Sequence, residues 1–130
     1  MVVIKRAQIK VTTVGSTGAA VGTGRTAETV SGIIRRIDVN YHSSCHSNTD
    51  VTMVQDNEQI ATNIISLTDQ KVDKTIYPAV ALTNSGGTAL TYDGTNEIYV
   101  PMVCDGELIA SVADCDALTD AVVIDIYYEV

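Results

Sequence analysis

Hydrophobic and polar residues alternate most cleanly in the last ten positions, Ala121-Val-Val-Ile-Asp-Ile-Tyr-Tyr-Glu-Val130. Val122, Ile124, Ile126, Tyr128 and Val130 fall on one side of an extended chain. Ala121, Val123, Asp125, Tyr127 and Glu129 fall on the other, mixed side. A period of two, carried by β-branched and aromatic residues, describes a half-buried strand and not a helix. The N–H and C=O groups of so apolar a strand need partners, and only earlier strands can supply them. The pattern predicts an all-β domain that closes on its final strand.

The same reading extends upstream. Val2 to Thr13 predicts a first strand, with Ala7, Ile9 and Val11 on one face. Gly15 to Thr26 is rich in glycine and small residues and reads as a tether. Thr29 to Tyr41 alternates clearly, Ile33, Ile37, Val39 and Tyr41 opposing Ile34, Arg36, Asp38 and Asn40. Asp50–Gln55 and Glu58–Ile65 form a predicted hairpin around a tight turn at Asp56-Asn57. The polar stretch from Leu67 to Lys74 suits a short helical turn. Strands follow at Thr75–Thr83 and Glu97–Cys104, each placed at an edge or bulge by its proline, Pro78 or Pro101. Asn84-Ser-Gly-Gly and Tyr92–Asn96 are turns, and Asp105-Gly106 is the best hairpin signal, leading into Glu107–Ala113.

The sum is one domain over residues 1–130: an eight-stranded antiparallel jelly-roll-like sandwich. Residues 1–28 contribute an N-terminal strand plus the Gly-rich tether. In a jelly roll the last strand lies between the first and third, which accounts for its apolar character. The two predicted hairpins share no pattern, so no internal repeat is expected.

Composition sharpens this picture. With 45% hydrophobic residues, 130 positions suffice for one real core. Six Tyr but no Phe or Trp leave that core to Val, Ile, Leu and Ala. A net charge of −8 argues against nucleic acid or an anionic membrane as partner. The charge is also unevenly spread. Every Lys and Arg lies at or before Lys74, and only acids follow, from Asp93 to Glu129. Such a chain suits docking onto a charged protein surface or head-to-tail association, and equally serves plain solubility. Three cysteines at unpatterned spacing (Cys45, Cys104, Cys115) do not make a disulfide framework and imply a reducing site of synthesis. No signal peptide, lipidation motif or membrane-length apolar run is apparent, so a soluble protein made in a cytoplasm is expected.

Few residues offer chemistry. His42, Cys45 and His46 have zinc-ligand character, but no second ligand pair follows. Asp114, Asp116 and Asp120 resemble part of a calcium loop, yet the central Gly and final Glu of an EF-hand are missing. Gly24-Arg25-Thr26 leads toward a strand, not into a helix N-terminus, so the glycine-rich stretch is no phosphate loop. Nothing selects a nucleophile with its base, or one carboxylate pair among sixteen acids. The expectation is a non-enzymatic protein without metal or cofactor. A carbohydrate- or protein-binding sandwich, for example in tail-associated adhesion, is the alternative; six Tyr keep sugar stacking open.

Four stretches, Ser31-Gly-Ile-Ile-Arg-Arg-Ile-Asp-Val-Asn-Tyr41, Thr49-Asp-Val-Thr-Met53, Thr75-Ile-Tyr-Pro78 and Val123-Ile-Asp-Ile-Tyr-Tyr-Glu129, carry a likeness to known proteins. In order and loop length, residues 29–130 resemble the small β-sandwich virion proteins of tailed bacteriophages, particularly head-decoration or cement proteins. The 42–46 loop stands outside this likeness. The resemblance implies a structural protein on the virion surface, bound to the major capsid protein as a trimer or dimer and stabilising the shell. The basic N-terminal third suggests Lys5, Arg6, Lys10, Arg35 and Arg36 as capsid contacts, with the acidic loops facing outward.

Overall fold

The computed structural model describes residues 2–56 and 63–130. In chain order the strands are β1 (Ile4–Val11), β2 (Ala20–Arg25), β3 (Val30–Tyr41), β4 (Asp50–Gln55), β5 (Asn63–Leu67), β6 (Lys74–Ile76), β7 (Ala79–Ala81), β8 (Tyr99–Pro101), β9 (Val103–Gly106), β10 (Leu108–Cys115) and β11 (Val122–Glu129). Two sheets face each other in an antiparallel, jelly-roll-like sandwich. One runs β1-β11-β3-β6, with β9 on the first half of β3; the other runs β2-β10-β4-β5. Among the described residues no helix is long and apolar enough to cross a membrane.

The last strand holds the place its pattern predicts. β11 lies between β1 and β3, so both of its edges are hydrogen-bonded. Val122, Ile124, Ile126 and Tyr128 point into the core, while Val123, Asp125, Tyr127 and Glu129 alternate outward. Ile9, Val11, Ile34, Ile37 and Val39 complete this wall, against Val51, Met53, Ile65, Leu108, Ala110 and Val112 of the facing sheet. The core is mainly aliphatic, joined by Tyr41 and Tyr128.

Eight expected strands become eleven among the described residues for three local reasons. The stretch read as a tether contains β2, paired antiparallel with β10 from Arg25↔Ile109 to Ala20↔Cys115. Its inward positions are Ala20, Gly22 and Gly24 because β1 passes directly beneath. A Cβ on Gly22 would sit 2.3 Å from the Thr12 carbonyl oxygen, and one on Gly24 would sit 2.8 Å from Ile9 Cγ2. The glycines thus serve close approach of two strands, not flexibility. Next, the strand expected over Thr75–Thr83 breaks at Pro78: β6 stays on β3, whereas β7 leaves to pair with β8. Finally, the strand expected over Glu97–Cys104 divides at Met102 into β8 and β9.

Asp105-Gly106 does not form a hairpin. β9 pairs with β3 in one sheet, and one residue later β10 pairs with β2 and β4 in the other. Gly106 lacks the positive φ that such a turn demands. The chain instead stays extended and crosses between sheets, held by the Asp56 N–H donating to the Glu107 carbonyl at 2.8 Å. β4 and β5 do pair antiparallel. The turn expected at Asp56-Asn57 and the start of the strand from Glu58 lie outside the described residues. No helical turn forms over 67–74, where the backbone is irregular.

Candidate functional site

Strand register brings three rows of polar residues together on the outer face of the five-stranded sheet. Arg6, Tyr127 and Arg36 form one row, Gln8, Asp125, Asp38 and Thr75 the next, and Lys10, Val123 and Asn40 the third. Arg36 can share a row with Tyr127 because a bulge opposite Tyr127/Tyr128 accommodates Arg35 as an extra residue. The Arg36 guanidinium lies 4.4 Å above the Tyr127 ring, within cation–π reach. The Gln8 amide donates to Asp125 at 2.9 Å and the Thr75 hydroxyl to Asp38 at 3.0 Å. Beside this row a cleft of about 360 Å³ is lined by Arg36, Asp38, Asn40, Asp73, Lys74 and the exposed Tyr77.

The second feature is an arm. From Pro78 to Pro101 the chain leaves the sandwich, closed by the β7–β8 ladder and a triangle of backbone hydrogen bonds. Leu82 N–H donates to the Ile98 carbonyl at 2.8 Å, Ile98 N–H to Leu90 at 3.1 Å, and Leu90 N–H to Leu82 at 2.8 Å. Asn84 and Asp93 form the two outer turns by accepting backbone N–H groups, Asp93 from Thr95 at 2.9 Å and Asn96 at 2.6 Å. Those bonds, the one from Asn96 foremost, hold the Asp93 carboxyl below its ordinary range. The arm and its root expose apolar side chains: Tyr77 (69%), Tyr92 (71%), Val103 (72%), and less fully Val80, Leu82, Leu90 and Tyr99. Where it meets the sandwich, Ile64, Val80, Val100, Pro101, Met102 and Val103 line an apolar cleft of about 350 Å³.

The basic residues singled out from the sequence separate into two sets. Lys5, Arg6 and Lys10 lie along the edge strand β1, exposed and without an ion pair among the described residues. Arg35 instead pairs with Glu129, and Arg36 lies against Tyr127 with Asp38 at 3.5 Å.

The metal-ligand candidates are used locally. Nδ1 of His42 accepts the Ser44 N–H at 3.0 Å, and Nδ1 of His46 accepts the Asn48 N–H at 3.1 Å. Cys45 turns into the core, its thiol donating to the Ala121 carbonyl at 3.1 Å. Asp116 accepts the Gly18 N–H at 2.9 Å, its carbonyl takes the hydroxyl of the buried Thr13, and the Asp120 N–H donates to Thr12. Asp114 sits at the bulge of β10 with φ of 52°. No group of three His, Cys, Asp or Glu side chains converges among the described residues.

The arm escaped sequence reading because its apolar residues are sparse and interrupted by turns. A spacing of eight was its one available signal: Leu82-Thr83, Leu90-Thr91 and Ile98 mark the triangle's three sides.

No family model matches the chain, and no curated protein matches it. Among solved structures it is similar to one described as "CBM4 structure and function", at 10% identity and a TM-score of 0.30, covering 94% of this chain and 89% of that one. That superposition is too loose to transfer a site. The architecture, described from the strands themselves, is all-β and sandwich-like.

Proposed function

We propose that the chain is a non-enzymatic structural protein of a tailed-phage virion, of the head-decoration or cement kind. It binds the major capsid shell from outside, stabilises it, and acts as a dimer or trimer made in the host cytoplasm. The observation that carries this reading is the arm. Apolar surface held away from the parent core gains about 25 cal/mol per Å² only when another protein covers it. An arm rooted on a rigid sandwich reaches a neighbouring subunit without reorganising the core, and many copies on one shell add avidity. The exposed cations Lys5, Arg6 and Lys10 on an edge strand support an accompanying electrostatic contact.

The test replaces Tyr92 and Val103 with Asp and measures occupancy on purified shells by electron microscopy. Both side chains lie at the surface, so the thermal midpoint should hold while occupancy falls at least about tenfold. Unchanged occupancy on shells of the cognate phage would remove the arm from the mechanism.

The Tyr77 cleft favours a second reading, a carbohydrate-binding module. Planar polar side chains (Arg36, Asp38, Asn40) beside an exposed aromatic ring suit sugar hydroxyls and a sugar face. Calorimetric titration against an oligosaccharide panel separates the two. Binding that disappears in Tyr77→Ala would favour the module, and silence across the panel would leave the shell reading alone.

A further inference from the structure

Two of the three cysteines, seventy positions apart in sequence, meet inside the sandwich. The Sγ atoms of Cys45 and Cys115 lie 3.9 Å apart. Cys45 belongs to the loop after β3, and Cys115 ends β10 in the opposite sheet. All three cysteines are buried, but Cys104 lies apart from this pair and donates to the Gln55 side chain on β4. The loop around Cys45 is already anchored on two sides. His42 N–H donates to the Ala121 carbonyl at 2.8 Å, and Cys45 N–H donates to His42 at 3.0 Å. Thiols at this separation lie within about 2 Å of the bond length of about 2.05 Å.

We infer that Cys45 and Cys115 are a latent disulfide, formed when the chain folds or breathes in an oxidising medium, which staples the 42–49 loop to the end of β10. The reaction balances with a small-molecule disulfide as oxidant. One cysteine thiolate attacks a sulfur of that oxidant and releases a thiol; the second thiolate displaces the other half. The two cysteines lose two protons and two electrons, and the oxidant becomes two thiols. Burial, then the Cys115 neighbour, push the Cys45 thiol up to about 12, so the folded reduced protein reacts slowly. Refolding from the unfolded chain, in which both thiols are exposed, is therefore the efficient route. The pairing is independent of any shell or sugar and closes a loop of about seventy residues, long enough to constrain the unfolded chain strongly.

The experiment refolds the whole chain with glutathione and glutathione disulfide, then blocks remaining thiols and maps peptides by mass spectrometry. The expected product has lost two hydrogens, links Cys45 to Cys115, and leaves Cys104 as the alkylated thiol. Its unfolding equilibrium constant in urea should fall on the order of a hundredfold relative to the reduced form. Absence of a linkage, linkage predominantly through Cys104, or a product less stable than the reduced chain would each overturn the inference. Cys104→Ser provides the simpler two-thiol version. Should that variant fail to fold, the wild-type peptide map decides alone.

Discussion

Gly22 is a position where one methyl group decides between fold and clash. Its Cβ would stand 2.3 Å from the Thr12 carbonyl oxygen and 3.1 Å from a methyl of Val11, at and just beyond the end of the neighbouring strand β1. Backbone cannot rotate away as a side-chain end can, so β1 and β2 would have to separate. We expect Gly22→Ala to cost about 3 kcal/mol or more in urea unfolding. Gly86→Ala, in the arm turn where the nearest atom is the Asn84 side chain at 3.4 Å, should stay within about 1 kcal/mol. Equal effects would mean that the close approach of β1 and β2 has no energetic consequence. A second residue-scale expectation concerns alkali. Burial, followed by the charges of Cys45, Asp73 and Asp50, raises the Tyr41 hydroxyl from 10.0 to about 12, and Cys45 rises from 9.0 to about 12. Both acids bind their protons more tightly in the folded chain, and the unfolded chain ionises first. The stability they contribute is complete below pH 9 and declines as pH rises toward 12. The urea midpoint of the reduced protein should therefore fall between about pH 8 and about pH 10.5. Tyr41→Phe should flatten that slope, since it removes one of the two titrating groups, a hydroxyl buried without a hydrogen-bond partner among the described residues.

Among the elements, β11 is paired along both edges and buries its inner face along its whole length. Ile126→Ala at its centre should cost about 3–4 kcal/mol by calorimetry or urea unfolding, whereas Val123→Ala on the outward face should cost under about 1 kcal/mol. A small effect at Ile126 would place the core elsewhere. This strand was legible in the sequence for the same reason that it matters: one face is buried along its whole length, so every second residue had to be apolar. β3 was legible likewise, and Pro78 and Pro101 correctly marked where strands give up sheet partners. β2 was not, because its inward residues are Ala20, Gly22 and Gly24. A strand pressed onto another backbone must be small, and small residues leave no hydrophobic period to read. Asp105-Gly106 misled because a turn signal is local, while the choice to cross sheets depends on Gln55, Asp56 and β3 far away in sequence. The outward polarity of Asp38, Asn40 and Asp125 could be read from alternation. That Arg6, Tyr127 and Arg36 share one row could not, since it depends on inter-strand register and on a bulge at Arg35.

For the molecule as a whole, folding redistributes a lopsided linear charge. The stretch after Lys74, which carries acids and no bases, returns as β11 between the base-bearing strands β1 and β3. Glu129 thereby neutralises Arg35, and Arg25 on β2 meets Glu107 at 2.8 Å and Asp56 at 3.4 Å. Interleaving of this kind divides the positive patch expected across residues 1–36 and leaves its unpaired part on the β1 edge: Lys5, Arg6 and Lys10. On the shell-binding proposal, long-range attraction to an acidic surface belongs to those three, because charges already paired at short range contribute little field beyond a Debye length of about 8 Å. Reversing Lys5, Arg6 and Lys10 together to Glu should slow association with purified shells about tenfold or more at low salt. That difference should shrink toward nothing near 1 M salt, where screening reaches about 3 Å. Arg35→Glu sets two carboxylates against each other at the rim of β11. It should lower stability by about 1 kcal/mol while leaving the association rate near that of the parent. Stopped-flow light scattering across a salt series distinguishes the two outcomes. If Arg35→Glu slows association as much as the β1 triple variant, the steering charge spans the whole outer face of the sheet and the β1 edge has no special part in it.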